Sequence, residues 1–431
     1  MLAGIGTAIA VILAERSVPL MSAVAASGAF LALLAVAIGK YEAAVVLGLV
    51  LFGVVVIEPA PTDIVLAVVI IVALATGRFD LYRVPPAVVL AVAAFVALNL
   101  VSLVQIVDTG SGMRFVVITG YLVLLALWIA SYVRSHASAR LVVVGYLVAA
   151  VVSAAVGVLA LFVAFPGHES LLIHGDRARG FFKDANVFGP FLIPPALLLI
   201  DDMMSPRLLP LRQLSKAVLL PMLLFGILGS YSRAAWASFL VGFAVLCLFY
   251  VLRPNASKRM ALLLIVTFAI GSAAVAGVAA TGTERFEGRV GLQWYDVQRF
   301  RAQSEGVRLA GEHPLGVGPG QFEIYAPRSA HSTYLRAAAE HGILGLLAIV
   351  TLFGATLWFA ARTALMRAET YGIGSAALLG SWCGLLLSSA VVDTLHWRHL
   401  WLVAGLIWAS AAARVIPIHR ASTSPGPSAT N

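Results

Sequence analysis

The chain has 431 residues, of which 61% are hydrophobic and 11% charged, and its formal net charge is +9. Its mean hydropathy is +0.97, whereas soluble domains run at about 45–50% apolar and about 25% charged residues; this composition excludes a soluble globular protein and describes an integral membrane one. The two cysteines, Cys247 and Cys383, both fall inside apolar runs, which argues against a disulfide framework and against a thiolate metal centre.

A helix needs ~20 residues to cross the hydrocarbon of a bilayer. In chain order the apolar runs predict spans near 2–14, 18–39, 41–57, 63–76, 84–106, 113–133, 140–165, 186–200, 216–229, 234–252, 260–280, 334–361, 371–391 and 396–416. Several are short enough to be tilted, re-entrant or merged. The expectation is an all-α polytopic membrane protein of 12 to 14 transmembrane helices with one large extracytoplasmic loop. Backbone amides in hydrocarbon must be paired, and runs of this length without turn signals achieve that as helices rather than barrel strands. The opening MLAGIGTAIAVILAERS has no basic n-region of a cleaved signal peptide and reads as the first span. No internal repeat of the inverted-transporter kind is visible. The division expected is a helix bundle over 1–280, an extracytoplasmic loop over 281–333, transmembrane helices over 334–416 and a disordered cytoplasmic tail over 417–431.

Orientation follows from basic residues in short connections. Arg78 with Arg83, Arg134 with Arg140, Arg207 with Arg212 and Lys216, Arg253 with Lys258 and Arg259, and Arg362 with Arg367 occupy alternate connections. Those connections and both termini are expected in the cytoplasm. Segments 58–62 and 108–112 contain no Lys or Arg and suit the opposite side. Two segments on that side depart from the rule: 166–183 holds Arg177, Arg179 and Lys183, and 281–333 holds six arginines balanced by six acidic residues. Within the long loop, LQWYDVQRFRAQSEGVRLAGEHP interleaves Trp294, Val297, Phe300 and Val307 with charges, which predicts an amphipathic helix lying on the outer interface. EHPLGVGPGQF then ends it with Pro and Gly turns.

Three polar islands share the predicted outer side: HGDRARGFFKDANVFGPF (174–191), GSYSRAAW (229–236) and GVGPGQFEIYAPRSAHSTYLRAAAEHGILG (316–345). They contain R-x-x-G-x-x-x-D-x-N, S-R-x-A, H-P-L-G-x-G-x-G-x-F and H-x-x-Y-L-x-x-x-x-E-x-G-x-x-G in that order. In this combination, over roughly 170–350, the chain resembles the O-antigen ligase and O-antigen polymerase superfamily. The resemblance implies a multi-pass protein of the cytoplasmic membrane whose active site faces outward. It implies an enzyme that moves a glycan from an undecaprenyl-diphosphate carrier to an acceptor hydroxyl of a glycan, lipid or protein. No cofactor, metal or nucleic acid is implied.

Matched position by position, the resemblance makes Arg177, Arg233 and His331 the catalytic candidates. Arg179, Asp184, Asn186 and Glu340 are expected substrate contacts. Ser332 stands where the family usually has Asn after the histidine. The chemistry suits these side chains: arginine's planar fork binds phosphate bidentately, and fixed cations stabilise the charge that develops on a leaving diphosphate. A helix N-terminus and nearby arginines keep His331 neutral near pH 7, as a base for the acceptor hydroxyl requires, and attack opposite the diphosphate inverts the anomeric carbon.

Other readings stand beside these. Arg114, Arg328 and Arg398 are expected to anchor helices at the interface. Asp184 and Asn186 also suit a helix cap, and Glu340 suits helix pairing. Glycines 316, 318, 320, 342 and 345 suit turns and close packing rather than a nucleotide loop. Asp393, His396 and His399 in DTLHWRH raise a metal site, which the intervening interface residues Trp397 and Arg398 disfavour. The alternative function is a transporter or flippase of a lipid-linked or anionic substrate. Pro194 and Pro195 are its best feature, while charges within predicted spans are nearly absent.

Overall fold

The computed structural model describes residues 33–251, 294–326, 328–366 and 369–413. The predicted spans at 2–14 and 260–280, the start of the one at 18–39, and the tail over 417–431 lie outside these residues. The described chain is almost entirely helical: α1 Tyr41–Val50, α2 Pro61–Ala75, α3 Pro86–Val101, α4 Thr109–Tyr132, α5 His136–Phe162, α6 Ala185–Phe191, α7 Ile193–Met204, α8 Gln213–Gly229, α9 Arg233–Val251, α10 Trp294–Glu312, α11 Phe322–Tyr325, α12 Thr333–Leu365, α13 Ser375–Val391 and α14 Arg398–Ala412. Two short antiparallel hairpins, β1 Leu172–Ile173 with β2 Arg177–Ala178 and β3 Glu369–Thr370 with β4 Ile373–Gly374, are the strands among these residues.

Six helical stretches in the described residues are long and apolar enough to cross a membrane: Pro86–Gln105, Thr109–Tyr132, His136–Phe162, Ala185–Met204, Arg233–Val251 and Thr333–Leu365. Shorter apolar helices at Tyr41–Gly53, Pro61–Ala75, Gln213–Gly229 and Ser375–Val391 join them. The expected 12 to 14 spans are therefore not reproduced as a count. One reason is visible in α14, where every residue from His399 to Ala412 is buried. A helix that is apolar all round belongs to a core, and hydropathy does not separate burial in protein from exposure to lipid. Trp401 and Trp408 anchor α14 by donating to Leu395 O at 2.7 Å and Thr356 Oγ1 at 3.0 Å.

Small residues let the helices meet closely, as membrane packing favours. At the crossing of α9 and α13, a Cβ on Gly242 would lie 2.7 Å from Gly380 O, and one on Gly384 would lie 2.6 Å from Ser238 O.

The connections sort into two ends. At one, Asp80 N–H donates to Ser131 Oγ at 2.7 Å, the His136 ring bonds Arg207 O at 2.8 Å, and Tyr250 OH donates to Asp201 Oδ1 at 2.6 Å. At the other, Val55 N–H donates to Phe181 O at 2.8 Å, Lys183 pairs with Glu58 at 3.1 Å, and Val107 and Asp108 N–H both donate to Gln321 Oε1. The arginine-rich connections thus gather at the first end. The Lys- and Arg-free ones gather with the three islands at the second.

The expected scarcity of charge inside spans needs correction. Asp201 and Asp202 in the last turn of α7 are buried and pair with Arg207 and Lys216, the latter at 2.7 Å. Arg336 and Glu340 are buried in α12. All four positions lie near helix ends and have opposite charges beside them, which is how ionised groups are tolerated at such depth. Arg398 is also not a free interface anchor: it grips both carboxylate oxygens of Asp63 at the start of α2.

Candidate functional site

The first island folds as the β1–β2 hairpin followed by the N-terminus of α6. Arg177, on β2, is only 9% exposed. Its Nε donates to Ser230 O at 3.0 Å and its Nη2 to Asn186 Oδ1 at 3.0 Å. The hairpin arginine is thereby tied to the turn that launches Arg233 at the head of α9, so the first two islands form one unit. Asn186 orients Arg177, and Asp184 caps α6 by accepting from Asn186 N–H at 2.9 Å. Arg179 donates Nε and Nη2 to Ser170 O at 3.1 and 2.9 Å and Nη1 to Lys183 O at 3.2 Å. The residue expected as a second phosphate contact thus donates to carbonyls of its own loop.

The third island is built around an interruption in α12. Gly342 has φ 68° and ψ −173°, which breaks the helix there. The loop before the helix fills the break: Val317 N–H donates to Ala339 O and Gly318 N–H to Glu340 O, both at 2.9 Å. Those carbonyls would otherwise lose their partners at the interruption. The approach leaves no room for a side chain, since a Cβ on Gly342 would lie 2.0 Å from Pro314 O and one on Gly316 would lie 2.3 Å from the Glu340 carbonyl. The glycines of H-P-L-G-x-G-x-G therefore serve the insertion of this loop.

Glu340 departs from its expected role as a substrate contact. It is 0% exposed and accepts from Gly320 N–H at 3.0 Å, Phe322 N–H at 3.2 Å and Arg336 Nη1 at 2.8 Å. Its carboxylate stitches the loop to the first half of α12. Arg336 also binds Glu323 of α11 and Asp393 of the turn before α14, the latter at 2.6 Å. Thr333 and Thr394 hydroxyls meet at 3.1 Å beside them. One buried guanidinium thus joins three segments at the first turns of α12, the helix that follows His331. Sequence reading missed Arg336; its i, i+4 spacing to Glu340 was the available signal.

His331, two residues before α12, has φ 47°. Ser332 caps α12 by accepting from Leu335 N–H at 3.4 Å, so serine meets the capping need at this position. The imidazole is half-buried. Burial, then the positive charge of Arg299, hold its pKa below the usual 6.5, with Asp184 and Asp393 opposing. Each island also carries a non-glycine residue in the left-handed region: His174 at φ 53°, Tyr231 at φ 48° and His331 at φ 47°. Such conformations cost about 1–3 kcal/mol each and concentrate at functional sites.

The DTLHWRH side chains do not converge. The His396 ring bonds Thr119 Oγ1 at 3.1 Å, His399 is packed between Phe191 and Trp397, and Asp393 belongs to Arg336. Among the described residues no three His, Cys, Asp or Glu side chains are grouped to hold an ion.

Fold and polar end together define a multi-helix membrane protein with an arginine- and histidine-bearing site at one end of its bundle. Residues 217–350 match the family model described as O-antigen ligase. That segment holds Arg233 and His331 and starts after Arg177, so it is narrower than the resemblance over 170–350; the Arg177–Ser230 hydrogen bond is what links the hairpin to it. No curated protein matches the chain.

Proposed function

We propose that this protein transfers or polymerises a glycan from an undecaprenyl-diphosphate carrier onto an acceptor hydroxyl at the outer face of the cytoplasmic membrane. The observation that carries the reading is a half-buried His331, its pKa lowered, at the end where Arg177 braces the turn leading to Arg233. Arg177 and Arg233 hold the diphosphate and stabilise its charge as the glycosidic bond breaks. Neutral His331 takes the acceptor proton while the oxygen attacks the anomeric carbon from the opposite side, which inverts it. Asp184 and Asn186 keep α6 and Arg177 in place, and Arg179 and Glu340 fix the loops that carry the site. Buried charges near the helix ends rather than mid-membrane favour an enzyme over the transporter reading.

Positive charge comes from arginines here, so the step needs no metal ion. Purified protein given an undecaprenyl-diphosphate glycan and an acceptor is expected to form product with the same rate in EDTA. Loss of turnover in EDTA with recovery on adding a divalent ion contradicts this.

A further inference from the structure

Helix α13 packs against two helices that begin beside proposed catalytic groups, α9 at Arg233 and α12 just after His331. Ser388 Oγ of α13 meets Ser238 Oγ of α9 at 2.8 Å, five residues after Arg233. Trp382 Nε1 donates to Phe353 O of α12 at 3.2 Å. Successive residues leave a helix about 100° apart, so Ser389 points away from the α9 contact. Its Oγ meets Thr394 Oγ, in the turn before α14, at 2.6 Å.

The hydroxyl hydrogens have an ordered assignment. Ser389 donates to Leu385 O at 2.9 Å, which leaves its oxygen to accept from Thr394. Thr394 Oγ then accepts from Thr333 Oγ at 3.1 Å, and Thr333 Oγ in turn accepts from Thr394 N–H at 2.8 Å. Thr333 is therefore held twice by one residue. Ser388, Ser389 and Thr394 are 0% exposed and Thr333 1%. Thr333 is the first residue of α12, and two residues of chain reach at most ~7 Å, so fixing Thr333 confines the backbone of His331. Most other buried hydroxyls of α12 to α14 bond to carbonyls of their own helix, as Ser381 does to Ala377 O at 2.7 Å. Hydroxyl contacts between membrane helices add little to stability, yet they fix where one element stands against another.

We propose that Thr394 and Ser389 are positioning residues for His331, which they hold in place through Thr333 on a frame that α13 shares with the helix of Arg233. This rests on the reading of His331 as the base. A misplacement of about 1 Å at a reacting group costs up to ~10²-fold in rate.

The test uses purified full-length protein in detergent with an undecaprenyl-diphosphate glycan and an acceptor, measuring turnover, donor binding and melting temperature. Thr394→Val is expected to lower turnover about ten- to a hundredfold with donor binding and melting temperature near wild type. Ser389→Ala is expected to lower turnover in the same direction. Thr394→Ser keeps the hydroxyl and is expected to restore most of the rate. Ser381→Ala, which loses a buried hydroxyl on the same helix, is expected to behave as wild type. Residues that act through one another are not additive, so adding Thr394→Val to His331→Ala is expected to slow the residual turnover no further. Wild-type turnover in Thr394→Val, or the same fractional loss with and without His331, overturns the proposal. A fall in melting temperature that Thr394→Ser and Ser389→Ala share, or a loss equalled by Ser381→Ala, makes these packing residues and also overturns it. Full turnover in His331→Ala alone removes the base, and this proposal with it.

Discussion

Arg177 and Arg233 enter the chemistry by different routes. Arg177 is buried and holds Ser230 O and Asn186, so its removal exposes a cost in folding as well as in function. Leaving a buried acceptor unpaired costs about 1–3 kcal/mol, and Arg177→Ala is expected to lower stability by that order. Both Arg177→Ala and Arg233→Ala are expected to abolish transfer in protein that remains inserted and folded. Lysine keeps the charge but loses the two-pronged geometry, so it restores little activity. Purified variants assayed for turnover and thermal unfolding check this; near-normal turnover in either alanine variant makes that arginine a structural anchor alone.

At the level of elements, the brace between the loop and α12 decides whether His331 has a fixed position. Arg336→Met strands Glu340 in a fully buried site and frees Glu323 and Asp393 from their shared partner. Breaking one side of such a buried pairing costs about 3–5 kcal/mol, and we expect chemical or thermal unfolding to show a loss of that size. A change under about 1 kcal/mol contradicts the brace. Much of the helical layout was legible beforehand, because an apolar run near ~20 residues has few other fates in a bilayer. Arg177, Arg233 and His331 are candidates through motif order, whereas the left-handed turns at His174, Tyr231 and His331 were not legible. The partners of Arg336 lie 13 residues upstream and 57 downstream, and Asp63 lies 335 residues from Arg398. No local pattern carries such pairings. The break at Gly342 was equally hidden, since a glycine in an apolar helix reads as close packing until the inserted loop is seen.

Over the whole molecule, the account requires the islands and the arginine-rich connections to lie on opposite sides of the membrane. A cysteine at Ser304, exposed on α10, is expected to react with an impermeant maleimide in intact cells, whereas one at Ser205, beyond α7 at the other end, reacts only after permeabilisation. Reversed labelling contradicts the outward-facing site. The most direct test of the central claim separates donor binding from chemistry in one purified variant. His331→Ala is expected to bind undecaprenyl-diphosphate glycan as wild type does while losing turnover by ~10²- to 10⁴-fold, the usual contribution of a general base. A base must be unprotonated, and the His331 pKa lies below the usual 6.5; wild-type turnover is therefore expected to be level around pH 7 and to fall only as pH drops through that lower value, a limb absent from the residual activity of His331→Ala. Full turnover in His331→Ala, or donor binding lost together with activity, would contradict the account.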